Sequence, residues 1–518
     1  MSPEATLLLA MAAPLVGAIG IFVTGYEPNL RESVTMVTAL ITFALVATLF
    51  PVVASGAAPS VTLLEMFPGL SITFTLEPLG MIFAGIASFL WIITSIYSLG
   101  YMRGHHEQNQ TRFYFFFAVA ISAAIAIAFS GNMLTLFIFY EVLTISTYPL
   151  VTHAGTEAAK KGGRIYLGIL ITTSISFLLL GMIWTYVEVG TLDFKKGGLF
   201  TNGAGAGMLG ILFGLYIYGI GKAALMPFHR WLPAAMVAPT PVSALLHAVA
   251  VVKAGVFSVL KVTLYIFGLE TLRDSGVSDW LAYVAGATVI IASLVAMTKD
   301  NLKARLAYST ISQLSYVVLG GMVATSLGMM GGAMHIVMHA FGKITLFFCA
   351  GAIMVASHRT EVSQLKGLGR TMPVTFICFT IGTLSIIGLP PLGGLWSKWY
   401  LALGAADAGH LILVGVLMLS SLLNIAYLLV IPVRAFFSEP DPDVEAQFND
   451  HHDDHHGDEH HDHAPATGAG APVICPAHGI HEAPLPCLIA ISITAAGSIA
   501  LFFFAGPIFE FLKPIVTP

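Results

Sequence analysis

The chain is divided into a succession of apolar stretches, each about long enough to cross a lipid bilayer. A transmembrane helix needs about 20 predominantly apolar residues, and fourteen stretches satisfy this requirement. Their limits are 5–24, 33–54, 77–101, 112–130, 132–153, 164–188, 208–228, 241–268, 279–298, 304–325, 329–357, 373–403, 410–437 and 486–512. The chain is 56% hydrophobic and only 10% charged, which excludes a water-soluble fold. The sequence predicts an all-α integral membrane protein with about 14 transmembrane helices, and no nucleic-acid partner.

Two of the predicted spans contain residues that interrupt a helix. Pro227 follows Lys222 in the span 208–228, and a run of glycine and proline surrounds Pro390 in the span 373–403. An unbroken helix over 373–403 would be about 46 Å long, whereas the hydrocarbon core is about 30 Å thick. We therefore expect an interruption near Pro390. Broken helices in both halves of a membrane protein indicate a transport site between the halves.

Basic residues are distributed unevenly between alternate loops. Fourteen Lys and Arg fall in the loops of one side and four in the loops of the other. Because cytoplasmic loops carry the excess of positive charge, both termini are predicted to lie outside a bacterial inner (cell) membrane. The first span, residues 5–24, has no basic segment before it, so we interpret it as a permanent span and not as a signal peptide.

Several ionisable side chains remain inside the predicted spans. Each would cost roughly 2.5–3.5 kcal/mol at a helix centre, so we expect each to face protein, water or a counter-charge. The lysines are Lys222, Lys253, Lys261, Lys343 and Lys398, and Glu141 is the one acid that the sequence places clearly inside a span. Burial disfavours the charged form and an opposite charge favours it, so such a set suits a proton relay. The alternative is a static role, as snorkelling side chains or fixed ion pairs, and it applies most to Lys261 near the end of its span.

Histidines accompany the lysines. His335, His339 and Lys343 recur at i, i+4 and i+8, which places them on one face of a helix, and His247 lies six residues before Lys253. Histidine can shuttle protons near neutral pH. A single membrane histidine is more often a hydrogen-bonded packing residue, but the stripe of three favours a hydrated pathway.

Four ordered motifs resemble those of a known family. They are GKAALMPFHRWLP at 221–233 followed by APTPVSALLH at 238–247, DNLKARLAYSTISQ at 300–313, HIVMHAFGK at 335–343, and GLPPLGGLWSK at 388–398. They are similar to signatures of the antiporter-like subunits of respiratory complex I, membrane-bound hydrogenases and Mrp-type cation/proton antiporters. The resemblance covers about residues 75–435.

The resemblance implies fourteen helices with two inverted five-helix repeats, each containing a broken helix. Residues 1–111 would form the first three helices, 112–268 the first half-channel and 279–437 the second. A His/Asp-rich loop would occupy 438–485, and the last helix 486–518.

The resemblance also implies roles for the buried ionisable residues. Glu141 would pair with Lys222, Lys253 would relay the proton centrally, Lys343 would link the halves, and Lys398 would be the exit residue. Some relatives carry glutamate at the last position, so Lys398 argues against those subtypes. The chain ends soon after its last span, without the lateral helix of the distal complex I subunit, which favours a protein like the D-type subunit of Mrp antiporters.

The function predicted from these features is that of a proton-translocating subunit of a multisubunit membrane complex, most like the D-type subunit of an Mrp Na⁺/proton antiporter. The alternatives are an antiporter-like subunit of a complex I-type or hydrogenase-type oxidoreductase, and a self-sufficient antiporter. A haem enzyme is disfavoured because His335 and His339 share one helix face. The chain shows no nucleotide, flavin, haem or iron–sulfur motif, so we expect no cofactor of its own. The expected partners are other membrane subunits, the lipid bilayer, protons and, for the antiporter, Na⁺.

One loop has no counterpart in the family. It lies between the last two predicted spans, is expected to face the cytoplasm, and combines imidazole and carboxylate groups that can bind Zn, Ni or Cu. The candidate ligands are His451, His452, His455, His456, His460, His461 and His463. Their spacing predicts no fixed zinc geometry, and the alternative is a solvated, disordered loop.

Overall fold

A computed structural model describes residues 1–200, 205–440 and 480–517 of the protein. This part of the chain is mostly helical. The histidines predicted to bind metal, His451 to His463, lie outside the described residues, so that hypothesis stays a prediction.

The helices follow one another with short connections. Those of the first part of the chain are α1 (Pro3–Val23), α2 (Pro28–Ala54), α3 (Pro78–Gly104), α4 (Gln110–Ala128), α5 (Met133–Val151), α6 (Glu157–Thr173), α7 (Leu179–Val189), α8 (Ala206–Gly219), α9 (Trp231–Ala234), α10 (Thr240–Ala244), α11 (Val251–Val262) and α12 (Leu269–Ser275). Those of the second part are α13 (Asp279–Thr298), α14 (Leu302–Met322), α15 (Ser326–Ser357), α16 (Pro373–Ile387), α17 (Gly394–Asp407), α18 (Leu411–Asn424), α19 (Val430–Phe437), α20 (Leu485–Phe503) and α21 (Ala505–Leu512).

Four π-helical turns lie among the described residues, and the first and last of them join α6 to α7 and α18 to α19 into continuous spans. They are Ser174–Leu178, Leu245–Val249, Thr263–Phe267 and Ile425–Leu429. A π turn inserts one residue into a helix and is frequent at functional sites.

A helix or a pair of helices occupies each of the fourteen predicted intervals. By length and composition, ten helices among the described residues can cross a membrane, or eleven if the bent pair Val251–Phe267 and Leu269–Ser275, which meet at 79°, forms one span. The all-α membrane architecture is therefore confirmed. The count of fourteen spans and the inverted repeats stay predictions.

Polar side chains at the helix starts explain several of the boundaries. Asn132, Thr156, Asn301 and Thr325 each accept a hydrogen bond from the backbone amide three residues further on, at the starts of α5, α6, α14 and α15. Such caps satisfy amides that have no partner inside the helix and contribute about 1 kcal/mol each. Proline begins α2, α3 and α16, where its missing N–H costs nothing.

Two helices are interrupted within the membrane-spanning region. After α8 the backbone makes a single 3₁₀ turn, Gly221–Ala223, and α9 begins only at Trp231. Helix α16 ends at Ile387, Gly388 has a φ of 91° that favours glycine, and α17 begins at Gly394. The predicted interruption near Pro390 is confirmed.

An antiparallel β-hairpin between α2 and α3 was not expected. Strands β1 (Ser60–Phe67) and β2 (Leu70–Thr75) pair in the register Ser60↔Thr75 and Phe67↔Leu70. The side chain of Asn132, at the start of α5, donates to the carbonyl of Ser71 at 2.7 Å. The hairpin thus lies against the start of α5.

Helix α15 forms the centre of the protein. It has 32 residues, so it is about 48 Å long, and 94% of its most apolar window is buried. It packs against α14 and α16 as well as α17, α3 and α20. A buried central helix can bring its side chains close to groups from several other helices.

The first break packs closely against α11. A Cβ built on Gly255 would lie 2.4 Å from the carbonyl carbon of Lys222 and from the amide nitrogen of Ala223. We expect Gly255→Ala to lower the free energy of unfolding by about 1–3 kcal/mol, because the backbone at the break would have to move. Gly415→Ala is the matched control, since a Cβ there meets nothing within 4 Å. Denaturant unfolding in detergent measures both, and equal stability of the two variants would contradict this packing.

Candidate functional site

Lys222 lies in the 3₁₀ turn of the first break and is fully buried. Its Nζ donates to the backbone carbonyl of Tyr140 at 2.8 Å and to Oγ1 of Thr144 at 2.5 Å, both on α5. The ammonium also lies 3.1 Å from the centroid of the Tyr140 ring, and the Tyr140 hydroxyl accepts from the Lys222 amide at 3.0 Å. Neutral groups of α5 therefore hold this lysine.

Glu141 is adjacent to these groups on α5. Both of its carboxylate oxygens are buried, and neither has a hydrogen-bond partner among the residues that the structure describes. Its charge acts on Lys222, but no direct ion pair joins the two side chains in the described ranges. The structure thus places Glu141 and Lys222 near each other but without a direct ion pair. Their pairing stays a prediction.

Lys253 and two histidines form a chain at the centre of the protein. Lys253 Nζ of α11 lies 2.6 Å from Nδ1 of His339 on α15. The His339 and His335 ring centroids are 5.7 Å apart, and His335 Nδ1 lies 2.9 Å from Oγ of Ser397 on α17. Ser397 precedes Lys398 in the sequence. The chain of titratable groups thus extends from α11 through α15 to the second break.

Lys398 lies at the second break. Its Nζ donates to the carbonyl of Ile387, the last residue of α16, at 3.1 Å and to Oγ of Ser421 at 3.2 Å. It also lies 4.9 Å from the ring centroid of Tyr316, which stacks on His335 with centroids 5.5 Å apart. The ending of α16 supplies a carbonyl that an unbroken helix would use itself.

Lys343, the third member of the predicted stripe, contacts a different helix. Its Nζ donates to Oγ of Ser309 at 2.5 Å and to the carbonyl of Leu306 at 3.4 Å, both on α14. Lys253 and Lys398 act on it as like charges. Its hydrogen bonds therefore lead to α14 and not to the chain that joins Lys253 to Ser397.

Lys261 has the geometry of a static ion pair. Its Nζ lies 2.6 Å from Oε1 of Glu77, the residue before α3, and 4.5 and 4.9 Å from the ring centroids of Phe194 and Tyr265. The static alternative considered from the sequence therefore fits this lysine.

One predicted relay residue cannot be placed. The backbone of His247 lies in the π turn Leu245–Val249, but its side chain is outside the described part of the structure. Its proposed relation to Lys253 stays a prediction.

Sequence reasoning missed two kinds of residue. It identified only one clearly buried acid, but Glu32 is 4% exposed and forms ion pairs with Arg31 at 3.3 Å and with Arg103. The helix α2 begins earlier than the predicted span, which brings Glu32 into it. The hydroxyl and carbonyl partners of the lysines were also missed, because single Ser, Thr and Tyr residues in apolar spans carry no pattern.

Comparisons with known proteins identify relatives of this chain. Residues 130–424 match the family described as NADH:quinone oxidoreductase/Mrp antiporter, TM. The chain is 31% identical over 384 residues to NADH-quinone oxidoreductase subunit N of Desulforudis audaxviator, over 73% of this chain and 76% of that protein. It is also 31% identical over 353 residues to NAD(P)H-quinone oxidoreductase chain 5 of a Synechocystis species, over 64% of this chain and 49% of that protein. The match spans about half the length of this second relative.

Solved structures share the fold over nearly the whole chain. A chain of the Mrp complex from a Dietzia species superimposes with a TM-score of 0.84 at 22% identity, covering 100% of this chain and 97% of that one. A chain of the membrane-bound sulfane sulfur reductase, an archaeal respiratory membrane complex, gives 0.82 at 22% identity, with 98% and 97% covered. A chain of respiratory complex I from Thermus thermophilus gives 0.72 at 19% identity, with 97% and 98% covered.

The Lys261–Glu77 pair provides a test of the static role. We expect Lys261→Met to lower the free energy of unfolding by about 2–3 kcal/mol, because it leaves Glu77 without its counter-charge. The double variant Lys261→Met/Glu77→Gln should recover most of that loss, since no unpaired charge remains. Unfolding in detergent measures both variants. A double variant less stable than Lys261→Met alone would contradict this assignment.

Proposed function

The chain belongs to the NADH:quinone oxidoreductase/Mrp antiporter transmembrane family, and from this premise we propose that it is a proton-translocating subunit of a multisubunit membrane complex. The observation that carries the proposal is the buried chain of titratable groups between the two broken helices. Ionisable residues inside membrane spans are costly to bury and mark ion pathways.

The central chain has the chemistry of a proton relay. Lys253 is within hydrogen-bond distance of His339, the His339 and His335 ring centroids are 5.7 Å apart, and lysine and histidine side chains can each hold and release a proton. The second nitrogen of His335, Nε2, is buried without a partner among the described residues, and so are both amide atoms of Gln313. Polar groups of this kind make the region between α14, α15 and α17 suitable for proton transfer.

The first break would regulate the supply of protons to this chain. Lys222 is held by the carbonyl of Tyr140 and by Thr144, while the Glu141 carboxylate has no partner among the described residues. A swing of the lysine toward Glu141 would form the ion pair, which stabilises both charges, and a swing back would break it. Alternation between the two arrangements would let Lys222 accept a proton and then pass it toward Lys253.

The identity of the complex is a further part of the proposal. We place the chain as the D-type subunit of an Mrp Na⁺/proton antiporter, with both termini outside a bacterial inner membrane. The likeness to the Mrp chain over the whole length and the presence of Lys398 at the second break support this assignment. The identity to subunit N of an NADH-quinone oxidoreductase supports the second candidate, a component of a redox-driven complex.

The variant Lys222→Arg distinguishes a role of Lys222 in proton relay from a static role in a fixed ion pair. We expect proton transport to fall at least about tenfold, because a guanidinium group keeps its proton at physiological pH. Lys261→Arg is the matched control and should transport at the wild-type rate, since the ion pair with Glu77 needs only a fixed charge. The measurement is pH-gradient formation in everted vesicles, normalised to protein level. Near-normal transport by Lys222→Arg would refute the relay.

The driving force distinguishes the two complexes. We expect the complex purified with this chain to acidify or alkalinise liposomes in response to a Na⁺ gradient, and the isolated chain to be inactive in the same assay. Proton movement that requires NADH or another reductant and ignores Na⁺ would establish the redox-driven alternative. Full activity of the isolated chain would overturn its assignment to a multisubunit complex.

A further inference from the structure

A cluster of titratable side chains lies at one face of the protein, apart from the proposed relay. It is centred on Glu107, in the connection between α3 and α4. One carboxylate oxygen, Oε1, lies 3.2 Å from Nδ1 of His105, and the other, Oε2, lies 3.9 Å from Nε2 of His153, which follows α5. The His105 ring also stacks on Tyr101 of α3, with centroids 5.8 Å apart. Residues from two separate connections thus meet at one carboxylate.

The three side chains differ in their access to solvent. The exposed fraction of the side chain falls from 36% at His105 to 17% at Glu107 and to 2% at His153. A direct hydrogen bond needs about 2.7–3.2 Å, so Glu107 and His153 are adjacent without being bonded, and a shift of roughly 1 Å would join them. The cluster is therefore a short line of titratable groups that leads from solvent into the protein.

A neighbouring acid, Glu32 of α2, has partners of a different kind. It forms ion pairs with Arg31 at 3.3 Å and with Arg103. Arginine keeps its proton at physiological pH, so these pairs hold a fixed charge. Within the described ranges, the Glu107 carboxylate makes ion-pair contacts with histidines and with no lysine or arginine. Because histidine gains and loses a proton near neutral pH, the charge of the Glu107 cluster can change.

Other ionisable groups surround the cluster from α3, α4 and α14. Arg112 of α4 donates from Nη2 to the carbonyl of His153 at 2.7 Å, and its charge acts on the His153 ring. The charge of Glu107 acts on Lys303, at the start of α14, and on Tyr101. Glu107 is therefore an acid among cations, and a carboxylate in such a position can attract protons from solution.

Helix α5 connects the cluster to the first break. The helix ends two residues before His153, and nearer its middle it carries Thr144, which accepts from Lys222. His153 and Thr144 are nine residues apart, roughly 13 Å along a helix axis. Between them, the side chain of Thr147 is hydrogen-bonded to the hydroxyl of Tyr166. Hydroxyl groups that can pass a proton thus lie between the cluster and Lys222.

We propose that His105, Glu107 and His153 form the site at which protons enter the relay from this face. His105 or Glu107 takes a proton from water, and Glu107 passes it to Nε2 of His153. The imidazolium then releases a proton from Nδ1 toward the interior, which leaves a neutral ring. This inference rests on the proposed proton-translocating function and adds the residues through which the relay is loaded.

The test compares initial rates of proton transport at two pH values, under the driving force that the complex uses. The vesicles start with the same pH on both sides, so the result does not depend on their orientation. We expect Glu107→Gln to be about tenfold slower than the wild type at about pH 8, where protons are scarce and their entry limits the rate. At about pH 6 it should be within about twofold of the wild type, because protons are then abundant. His153→Gln should show the same pattern, and the double variant should be no slower, since the two residues act in one path.

Two further variants distinguish proton entry from a structural role. Glu107→Asp keeps the carboxylate and should retain most of the wild-type rate at about pH 8. Glu157→Gln is the control and should match the wild type, because this acid is 83% exposed, pairs with Lys160 and lies outside the cluster. A loss in Glu107→Gln of equal size at both pH values, or no loss at either, would overturn the entry site while the proposed function stands. Wild-type vesicles that move no protons would refute the proposed function and the entry site with it.

Discussion

The cost of holding an ammonium group inside a membrane constrains this structure more than any other interaction. Lys222, Lys253 and Lys343 are buried and Lys398 is partly buried, and none of the four has an ion pair in the described part of the chain. Backbone carbonyls, hydroxyls and one histidine ring nitrogen take the place of counter-ions. Neutral acceptors hold a cation less firmly than a carboxylate does, so the same groups that permit burial also permit the proton to leave.

The two broken helices supply part of this environment in different ways. At the second break, the end of α16 leaves a carbonyl that accepts from Lys398. At the first break, the 3₁₀ turn places Lys222 beside a carbonyl and a hydroxyl of α5, which is itself unbroken. Each break therefore holds a lysine, but through different hydrogen bonds. A strict structural equivalence of the two halves would not predict this difference.

The sequence was sufficient to predict the class of fold, the broken second helix and most of the buried ionisable residues. The length of an apolar stretch and the spacing of His335 and His339 are local properties of the sequence. They do not depend on which helices pack together. Partners across helices are not local, so the approach of Lys253 to His339 and of Lys343 to Ser309 had no signal in the sequence. The β-hairpin was missed although Leu70–Thr75 alternates apolar and polar residues, because the length of apolar stretches, the criterion that located the spans, does not detect two strands in a connection between them.

The single unbroken helix α15 has a mechanical consequence. His335, His339 and Lys343 all lie on this one helix. The spacing of their backbones therefore cannot change without disrupting helical hydrogen bonds. In the proposed relay, any movement that opens or closes the path must occur where α15 meets α11, α14 and α17. Gates at such junctions can work out of phase with one another. In the proposed relay, a proton held on α15 would then be isolated from both ends of the path at once.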